Sequence, residues 1–253
     1  MLTSIDRPEG QDLTLLGRAS PLVKLAVAVA WLIGLALTLD PRPPLALATL
    51  AIVAALALGG VSGRDLVRGL APLAVAAATI GVANLLYSGA NSDPGATQIA
   101  RLGPFRLTME AAETAAALAA RVLAIVAVGA AFALTTDPTR LVDALVLQGR
   151  VPARFAYGAL AAYQAVPRLG QDLTTLRQAR RIRGLGRGWH PRLLVGLLVR
   201  AIRHADQLAL AMDARAFGSG PRTSFRPIRW GFQDLVVGVG GLIALGAALL
   251  LGR

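Results

Sequence analysis

Five long apolar runs constrain the fold of this 253-residue chain more than any other feature. They cover about residues 21–39, 44–60, 66–88, 111–135 and 232–251. A helix rises about 1.5 Å per residue and crosses the roughly 30 Å hydrocarbon core of a bilayer with about 17–25 residues, so each run is long enough to span it. Inside a bilayer every backbone N–H and C=O group needs an internal partner, which a continuous helix provides. The sequence therefore predicts an all-α polytopic membrane protein with about five transmembrane helices.

Composition supports this prediction and excludes several kinds of site. Hydrophobic residues make up 55% of the chain and charged residues 16%, whereas soluble domains carry about a quarter charged residues. The chain has no cysteine, which excludes thiolate chemistry, and its two histidines, His190 and His204, argue against a histidine-rich metal site. Its acidic residues are scattered singly and no nucleophile stands beside a base, so the sequence does not predict an enzyme.

The positive charge is concentrated in one segment, residues 138–229. This segment holds sixteen arginines against four aspartates, and the excess equals the net charge of +12 of the whole chain. Basic segments next to transmembrane helices remain in the cytoplasm. We therefore divide the chain into a transmembrane region with four spans (1–135), a cytoplasmic region (136–230) and a last span (231–253). The same rule predicts an inner (cytoplasmic) membrane protein with its N-terminus in the cytoplasm and its C-terminus outside.

Turn and cap residues divide the basic segment into three predicted helices. The stretch Thr135-Thr136-Asp137-Pro138 begins a short helix that ends near Leu147. A second helix is predicted over about 151–183, and a glycine-rich turn follows at 184–188. A third helix is predicted from Pro191 to about residue 216. The region is thus expected to form two long helices rather than a disordered basic tail.

The two long helices end alike, with an arginine beside small residues. The endings are Ile182-Arg183-Gly184, with Arg180 as a second register, and Ala214-Arg215-Ala216. The helix dipole favours an arginine at a helix C-terminus, which is one explanation of the pattern. The other explanation is that small neighbours let the arginine enter a groove of a partner and form a two-pronged bond with a carboxylate. The residues alone leave both explanations open.

The order of these elements resembles the transmembrane coupling (T) subunit of energy-coupling factor (ECF) transporters, a family that includes the cobalt-transport and biotin-transport T proteins. The resemblance covers roughly 130–220. It rests on Thr135-Thr136-Asp137-Pro138, on Val151-Pro152-Ala153, on Val166-Pro167 and on the two arginine endings, which are similar to the family's paired Ala-Arg-Gly signatures. This chain departs from that pattern at Ile182, where the family has alanine, and at Ala216, where it has glycine.

The resemblance implies a function in ATP-driven uptake. In this family two long cytoplasmic helices cross, and their arginines dock onto two ABC ATPase subunits that bind ATP and Mg²⁺. A separate S component captures the substrate, which is a vitamin or a transition-metal ion. This chain would be the non-catalytic coupling subunit and would bind no cofactor itself. Its sequence accordingly lacks the Gly-x-x-x-x-Gly-Lys-Ser/Thr pattern of a phosphate-binding loop.

The resemblance also implies which residues contact each partner. The predicted ATPase-coupling residues are Arg183, Arg215, Arg180, Ala214, Ala216 and Gly184. The predicted platform for the S component is apolar and comprises Phe155, Tyr157, Leu160 and Tyr163, together with the stretch Leu193–Val199.

Three other kinds of protein are alternatives to this interpretation. A solitary permease needs polar residues lining a pore, whereas these spans are mostly Ala, Leu and Val. A basic membrane scaffold without ATPase partners is the second alternative. Nucleic-acid binding is the third, but aromatic residues are 5% of the chain, which is few for stacking on bases, so no nucleic-acid partner is predicted.

Two cations fall within the predicted spans. Arg121 lies in the middle of the fourth span, where it is explained by contact with another subunit, by a tie to a neighbouring helix or by a misplaced span boundary. Lys24, the chain's single lysine, lies near the start of the first span and is expected to extend towards the membrane surface.

Overall fold

The computed structural model describes residues 14–38, 40–93, 95–102, 105–185, 190–218, 220 and 230–251. The described chain is predominantly helical, which confirms the predicted all-α class. In chain order its helices are α1 (Leu15–Arg18), α2 (Pro21–Ala36), α3 (Arg42–Ala57), α4 (Gly63–Tyr87), α5 (Met109–Thr135), α6 (Pro138–Leu147), α7 (Ala153–Ile182), α8 (Pro191–Ala214) and α9 (Phe232–Leu250).

Helices lie at all five predicted spans, but they differ in length. By length and composition, three described helical segments can cross a membrane: Gly63–Ser92, Met109–Thr135 and Phe232–Leu250. Helices α2 and α3 have 16 residues each. At 1.5 Å per residue they are about 24 Å long, shorter than a hydrocarbon core of roughly 30 Å. The first predicted run continues past α2 to residue 39 and the second past α3 to residue 60, because leucine and other uncharged residues follow each helix.

The connection between α4 and α5 contains structure that the sequence analysis did not predict. A 3-10 turn, Gly89–Ser92, is followed by strand β1 (Gln98–Leu102), which pairs antiparallel with β2 (Phe105–Thr108). The Asn91 Oδ1 atom accepts hydrogen bonds from the backbone N–H and the hydroxyl of Thr108, at 3.2 and 3.1 Å. These bonds attach the 3-10 turn to the end of the hairpin and the start of α5, since Thr108 ends β2 and caps this helix.

The chain folds as two compact units. The transmembrane unit comprises residues 7–141 and 229–253 and therefore holds α1 to α5 and α9. The second unit, here called the arginine unit, comprises residues 1–6 and 142–228 and holds α7 and α8. Helix α6 begins in the transmembrane unit and continues into the arginine unit.

Small side chains fill the core of the transmembrane unit. Alanine and glycine allow membrane helices to approach closely, which increases their van der Waals contact. A Cβ atom built on Gly81 of α4 would lie 3.0 Å from the Cβ of Ala119 on α5, so these two helices are in close contact. The main buried cluster consists of Trp31, Leu35, Leu47, Ala48, Ala51, Ala124, Ala127, Val128 and Ala248.

Arg121 is tied to a neighbouring segment of its own chain. Its Nη2 donates a hydrogen bond to the carbonyl oxygen of Thr38, just beyond the end of α2. Its Nε is buried and has no hydrogen-bond partner among the described residues. This contact supports the second of the three explanations for Arg121, a tie to a neighbouring helix of the transmembrane unit.

Candidate coupling site

Helices α7 and α8 lie antiparallel within the arginine unit. As residue numbers rise along α7, those of its partners fall along α8. Asp172 and Arg200 form an ion pair at 2.9 Å, and Arg168 contacts the Nε2 atom of His204 at 3.1 Å. The contacting pairs, from the start of α7 towards its end, are Arg154 with Gly218, Tyr157 with Phe217, Arg168 with His204, Asp172 with Arg200, and Leu176 with Gly196.

The antiparallel pairing places the two arginine endings at opposite ends of the helix pair. Arg183 follows α7 directly and Arg215 follows α8 directly. The ring of Phe217, two residues beyond Arg215, packs against the ring of Tyr157 near the start of α7. Twenty-six residues separate Tyr157 from Arg183. At 1.5 Å per residue, the two arginines are therefore about 40 Å apart along α7.

Helix α7 ends in a Schellman motif. Arg183 is the C-cap residue, and Gly184 follows it with φ of +71°. The backbone N–H of Gly184 donates to the Arg181 carbonyl at 3.1 Å, and that of Leu185 donates to the Arg180 carbonyl at 3.1 Å. These two bonds satisfy carbonyl groups that lack partners within the helix. Glycine suits the second position because it adopts positive φ without steric strain.

Helix α8 ends in the same motif, position by position. Arg215 is the C-cap residue and Ala216 follows it with φ of +54°. The N–H of Ala216 donates to the Asp213 carbonyl at 2.9 Å, and that of Phe217 donates to the Met212 carbonyl at 3.0 Å. Arg215 therefore stands where Arg183 stands in α7, and Ala216 stands where Gly184 stands. The equivalence explains why the third residue of each ending is small.

The geometry separates Arg183 from Arg180, which the sequence left as two registers. The Nη2 of Arg180 donates to the carbonyl of Leu185 at 3.1 Å, and its Nε is buried. Arg180 thus folds back onto the end of its own helix, and it corresponds in position to Met212 of α8. The side chains of Arg183 and Arg215 are both exposed. The geometry therefore favours Arg183 as the counterpart of Arg215.

The positive φ of Ala216 leads to a stability prediction. A residue with a Cβ in the left-handed region is strained by about 1 kcal/mol relative to glycine. We expect Ala216→Gly to stabilise the protein by roughly this amount, and Gly184→Ala to destabilise it by a similar amount. Thermal unfolding of the detergent-purified protein measures both. If the unfolding temperature of both variants shifts in the same direction, Ala216 and Gly184 do not occupy equivalent positions.

The four predicted platform residues do not share one environment. Phe155 and Tyr163 are 76% and 62% exposed, and Leu160 is half-buried. The Tyr157 hydroxyl donates to Asp143 Oδ1 at 2.7 Å, and its ring meets that of Phe217 edge to face, with centroids 6.0 Å apart. The bond to Asp143, with partial burial, raises the pKa of Tyr157 to about 12. Tyr157 therefore fastens the start of α7 to α6 and to the end of α8.

The first half of α8 presents an apolar face. Within the predicted stretch Leu193–Val199, Leu193 is buried and Leu197 is half-buried, whereas the other leucines and valines are exposed. A cleft of about 280 Å³ lies between α7 and α8, and six of its fourteen lining residues are alanines. The exposed apolar residues of α8 are Leu194, Val195, Leu198, Val199, Ile202 and Leu210. The residues from Leu194 to Ile202 recur at helical spacing, which places them on one face of α8, and an exposed apolar face is typical of surfaces that contact another protein or a membrane.

Comparison with known proteins decides the family. The sequence profile of the family described as CbiQ, cobalt transport protein, matches residues 14–225, which is most of the chain. The chain belongs to the CbiQ family. It is thereby a transmembrane (T) component of an ECF transporter, as the resemblance in the basic segment implied, and a membrane protein.

Relatives of this CbiQ-family chain carry matching descriptions. Energy-coupling factor transporter transmembrane proteins from Heliobacterium modesticaldum and Thermosediminibacter oceani are 30% and 27% identical to it. The first match covers 88% of this chain and 87% of the relative, and the second covers 92% of each. A putative ABC transporter ATP-binding protein from Bifidobacterium longum is 26% identical over 80% of this chain, which corresponds to 27% of that longer protein.

Proposed function

We propose that this chain is the coupling subunit of an ECF-type ABC importer, in which Arg183 and Arg215 each dock onto one of two ABC ATPase subunits. The observation that carries the proposal is the pair of equivalent helix endings. Each has an exposed arginine at the C-cap position, followed by a residue with positive φ. Two equivalent endings about 40 Å apart need two equivalent receiving sites. A pair of ATPase subunits provides them.

The chemistry of each ending suits a groove that contains a carboxylate. A guanidinium presents its N–H donors as a planar fork that matches the two oxygens of a carboxylate. The neighbouring residues Gly184 and Ala216 are small, so the backbone around each arginine can approach the partner closely. Because the arginine follows the last turn of its helix, the helix dipole also favours its positive charge.

The relative from Bifidobacterium longum supports an ATPase partner. That protein is described as ATP-binding, and about a quarter of its length is similar to this chain. A segment similar to a T component thus occurs within a longer ATP-binding protein. In our proposal the ATPases bind ATP and Mg²⁺, and this chain is non-catalytic and binds no cofactor. The arginine unit then lies in the cytoplasm, with the N-terminus inside and the C-terminus outside.

The apolar surfaces of the arginine unit are proposed to receive the S component. Phe155 and Tyr163 on α7, with the exposed face of α8 that includes Leu194 and Leu198, form this platform in our proposal. Tyr157 holds the start of α7, and with it the platform, in place through its hydrogen bond to Asp143. The S component supplies substrate specificity for a vitamin or a transition-metal ion, and the family description points to cobalt as one candidate.

Isolation of the chain from native membranes tests the proposed function. A tagged chain is expected to retain ABC ATPase subunits and a small membrane protein through purification in mild detergent. The isolated complex is expected to hydrolyse ATP. A chain that purifies alone, with uptake activity of its own after reconstitution, would instead support the solitary permease. A chain that purifies alone without activity would support the scaffold.

A further inference from the structure

Lys24 occupies an unexpected position within the transmembrane unit. Its side chain is 7% exposed and is held within the unit by backbone carbonyl groups. The Nζ atom donates hydrogen bonds to the carbonyl of Leu16 in α1, at 2.9 Å, and to the carbonyl of Thr135, the last residue of α5, at 2.8 Å. A buried ammonium group is retained in a protein when several acceptors satisfy it. Lys24 thus joins α1, α2 and the end of α5.

A second cation holds the same short helix. The Nη1 of Arg140, in the first turn of α6, donates to the carbonyl of Gly17 at 2.6 Å. Leu16 and Gly17 are among the last residues of α1, whose carbonyls lack partners within the helix. The backbone N–H of Leu16 also donates to the carbonyl of Leu58, which follows α3. Helix α1 is therefore hydrogen-bonded to α2, to α6 and to the residue that follows α3, and Lys24 links it to the end of α5.

These bonds hold both ends of the segment that leads out of the transmembrane unit. Residues 135–140 connect α5 to α6, and the chain enters the arginine unit within α6. Lys24 holds the first residue of this segment and Arg140 is its last. Between them, the Asp137 Oδ1 accepts a hydrogen bond from the N–H of Thr139 at 3.1 Å. We call Lys24, Arg140 and α1 together the junction clamp.

Resting on the proposed function, we infer that Lys24 and Arg140 are positioning residues through which ATP-driven movement of the arginine unit reaches the transmembrane helices. A movement of the arginine unit is transmitted to the transmembrane helices only when the segment 135–140 does not bend. Charged hydrogen bonds to backbone carbonyls, one set buried, keep the segment rigid because they are shorter and stronger than neutral ones. Without the junction clamp, residues 135–140 bend when the arginine unit moves, and the movement does not reach the transmembrane helices.

Hydrogen exchange of the complex with its ATPases tests this inference. The complex is trapped with ATP and orthovanadate, and deuterium uptake is compared with the nucleotide-free state. In the wild type, trapping is expected to change exchange in α7 and α8 and also in residues 14–31. In Arg140→Ala and Lys24→Met, the change in α7 and α8 remains, and the change in residues 14–31 falls to less than about half. Lys24→Arg is expected to restore part of it.

Arg68→Ala is the matched control, since Arg68 is an exposed arginine in the same unit. It should behave as the wild type. An undiminished response of residues 14–31 in Arg140→Ala overturns the inference, even where Lys24→Met does not fold. Loss of the ATPases from Arg140→Ala also overturns it, because the residue would then act on assembly. If the wild-type chain retains no ATPases, the proposed function itself fails, which is a different outcome.

Discussion

Replacement of both Arg183 and Arg215 by alanine is expected to release the ATPase subunits from the purified complex. Arginines that anchor an interface typically contribute about 2 kcal/mol or more when truncated, which is roughly a thirty-fold loss of affinity each. The two endings act on one pair of partners, so each ending raises the effective concentration of the other. The double variant is therefore expected to lose far more than either single variant. Quantification of co-purified ATPase against this chain measures the effect.

Neighbouring arginines provide the controls for this experiment. Arg181 and Arg203 are exposed arginines on α7 and α8 that do not occupy the C-cap position. Their alanine variants are expected to retain the ATPases. Arg180→Ala removes a bond to the Leu185 carbonyl at the end of α7, and it should lower stability slightly without releasing the partners. If Arg180→Ala releases the ATPases and Arg183→Ala does not, then Arg180 is the coupling residue of α7. If the double variant retains the ATPases, Arg183 and Arg215 do not dock onto them.

Lysine substitution separates charge from geometry at the same positions. Lysine keeps the positive charge but lacks the planar fork that binds both oxygens of a carboxylate. We expect Arg183→Lys to retain the ATPases less well than the wild type and better than Arg183→Ala. Equal retention by the lysine variant and the wild type would show that charge alone is recognised.

Local sequence signals predicted the helix boundaries well in the basic segment. Pro138 and Pro191 begin α6 and α8, as their fixed φ and missing N–H predict for a first helical position. Gly184 follows the end of α7 with positive φ. The predicted turn at Gly186 and Gly188 lies outside the described residues. The third predicted helix was two residues too long, because Ala216 adopts positive φ although alanine is a strong helix former.

Features that depend on long-range contacts could not be predicted in the same way. The hairpin of Gln98–Leu102 and Phe105–Thr108 is short, and hydrophobic periodicity does not show the hydrogen bond between Thr108 and Asn91. Lys24 lies near the start of an apolar run, and no local pattern shows that its acceptor is Thr135, 111 positions away. The equivalence of the two arginine endings likewise depends on backbone angles. The sequence signal that suggested it was the repeated small residue after each arginine.

The contact between α2 and α9 depends on one glycine of an adjacent pair. The indole Nε1 of Trp31 in α2 donates to the carbonyl of Gly241 in α9 at 2.8 Å. A Cβ atom built on Gly241 would lie 2.5 Å from the Cγ1 of Val27, which is closer than real atoms approach. Val27 is β-branched and cannot easily rotate away within a helix. A Cβ atom on the neighbouring Gly240 would meet nothing within 4 Å.

Gly241→Ala is therefore expected to destabilise the protein by about 1–3 kcal/mol, the usual cost of an extra methyl group in a packed contact. Gly240→Ala is expected to be neutral or to stabilise the protein by up to about 1 kcal/mol, because alanine favours a helix more than glycine does. Thermal unfolding of both detergent-purified variants gives the comparison. Adding Val27→Ala to Gly241→Ala removes the clashing methyl groups and should recover most of the loss, as a double-mutant cycle would show. If Val27→Ala gives no recovery, the two helices do not meet at Gly241, and the transmembrane unit is packed differently around α9.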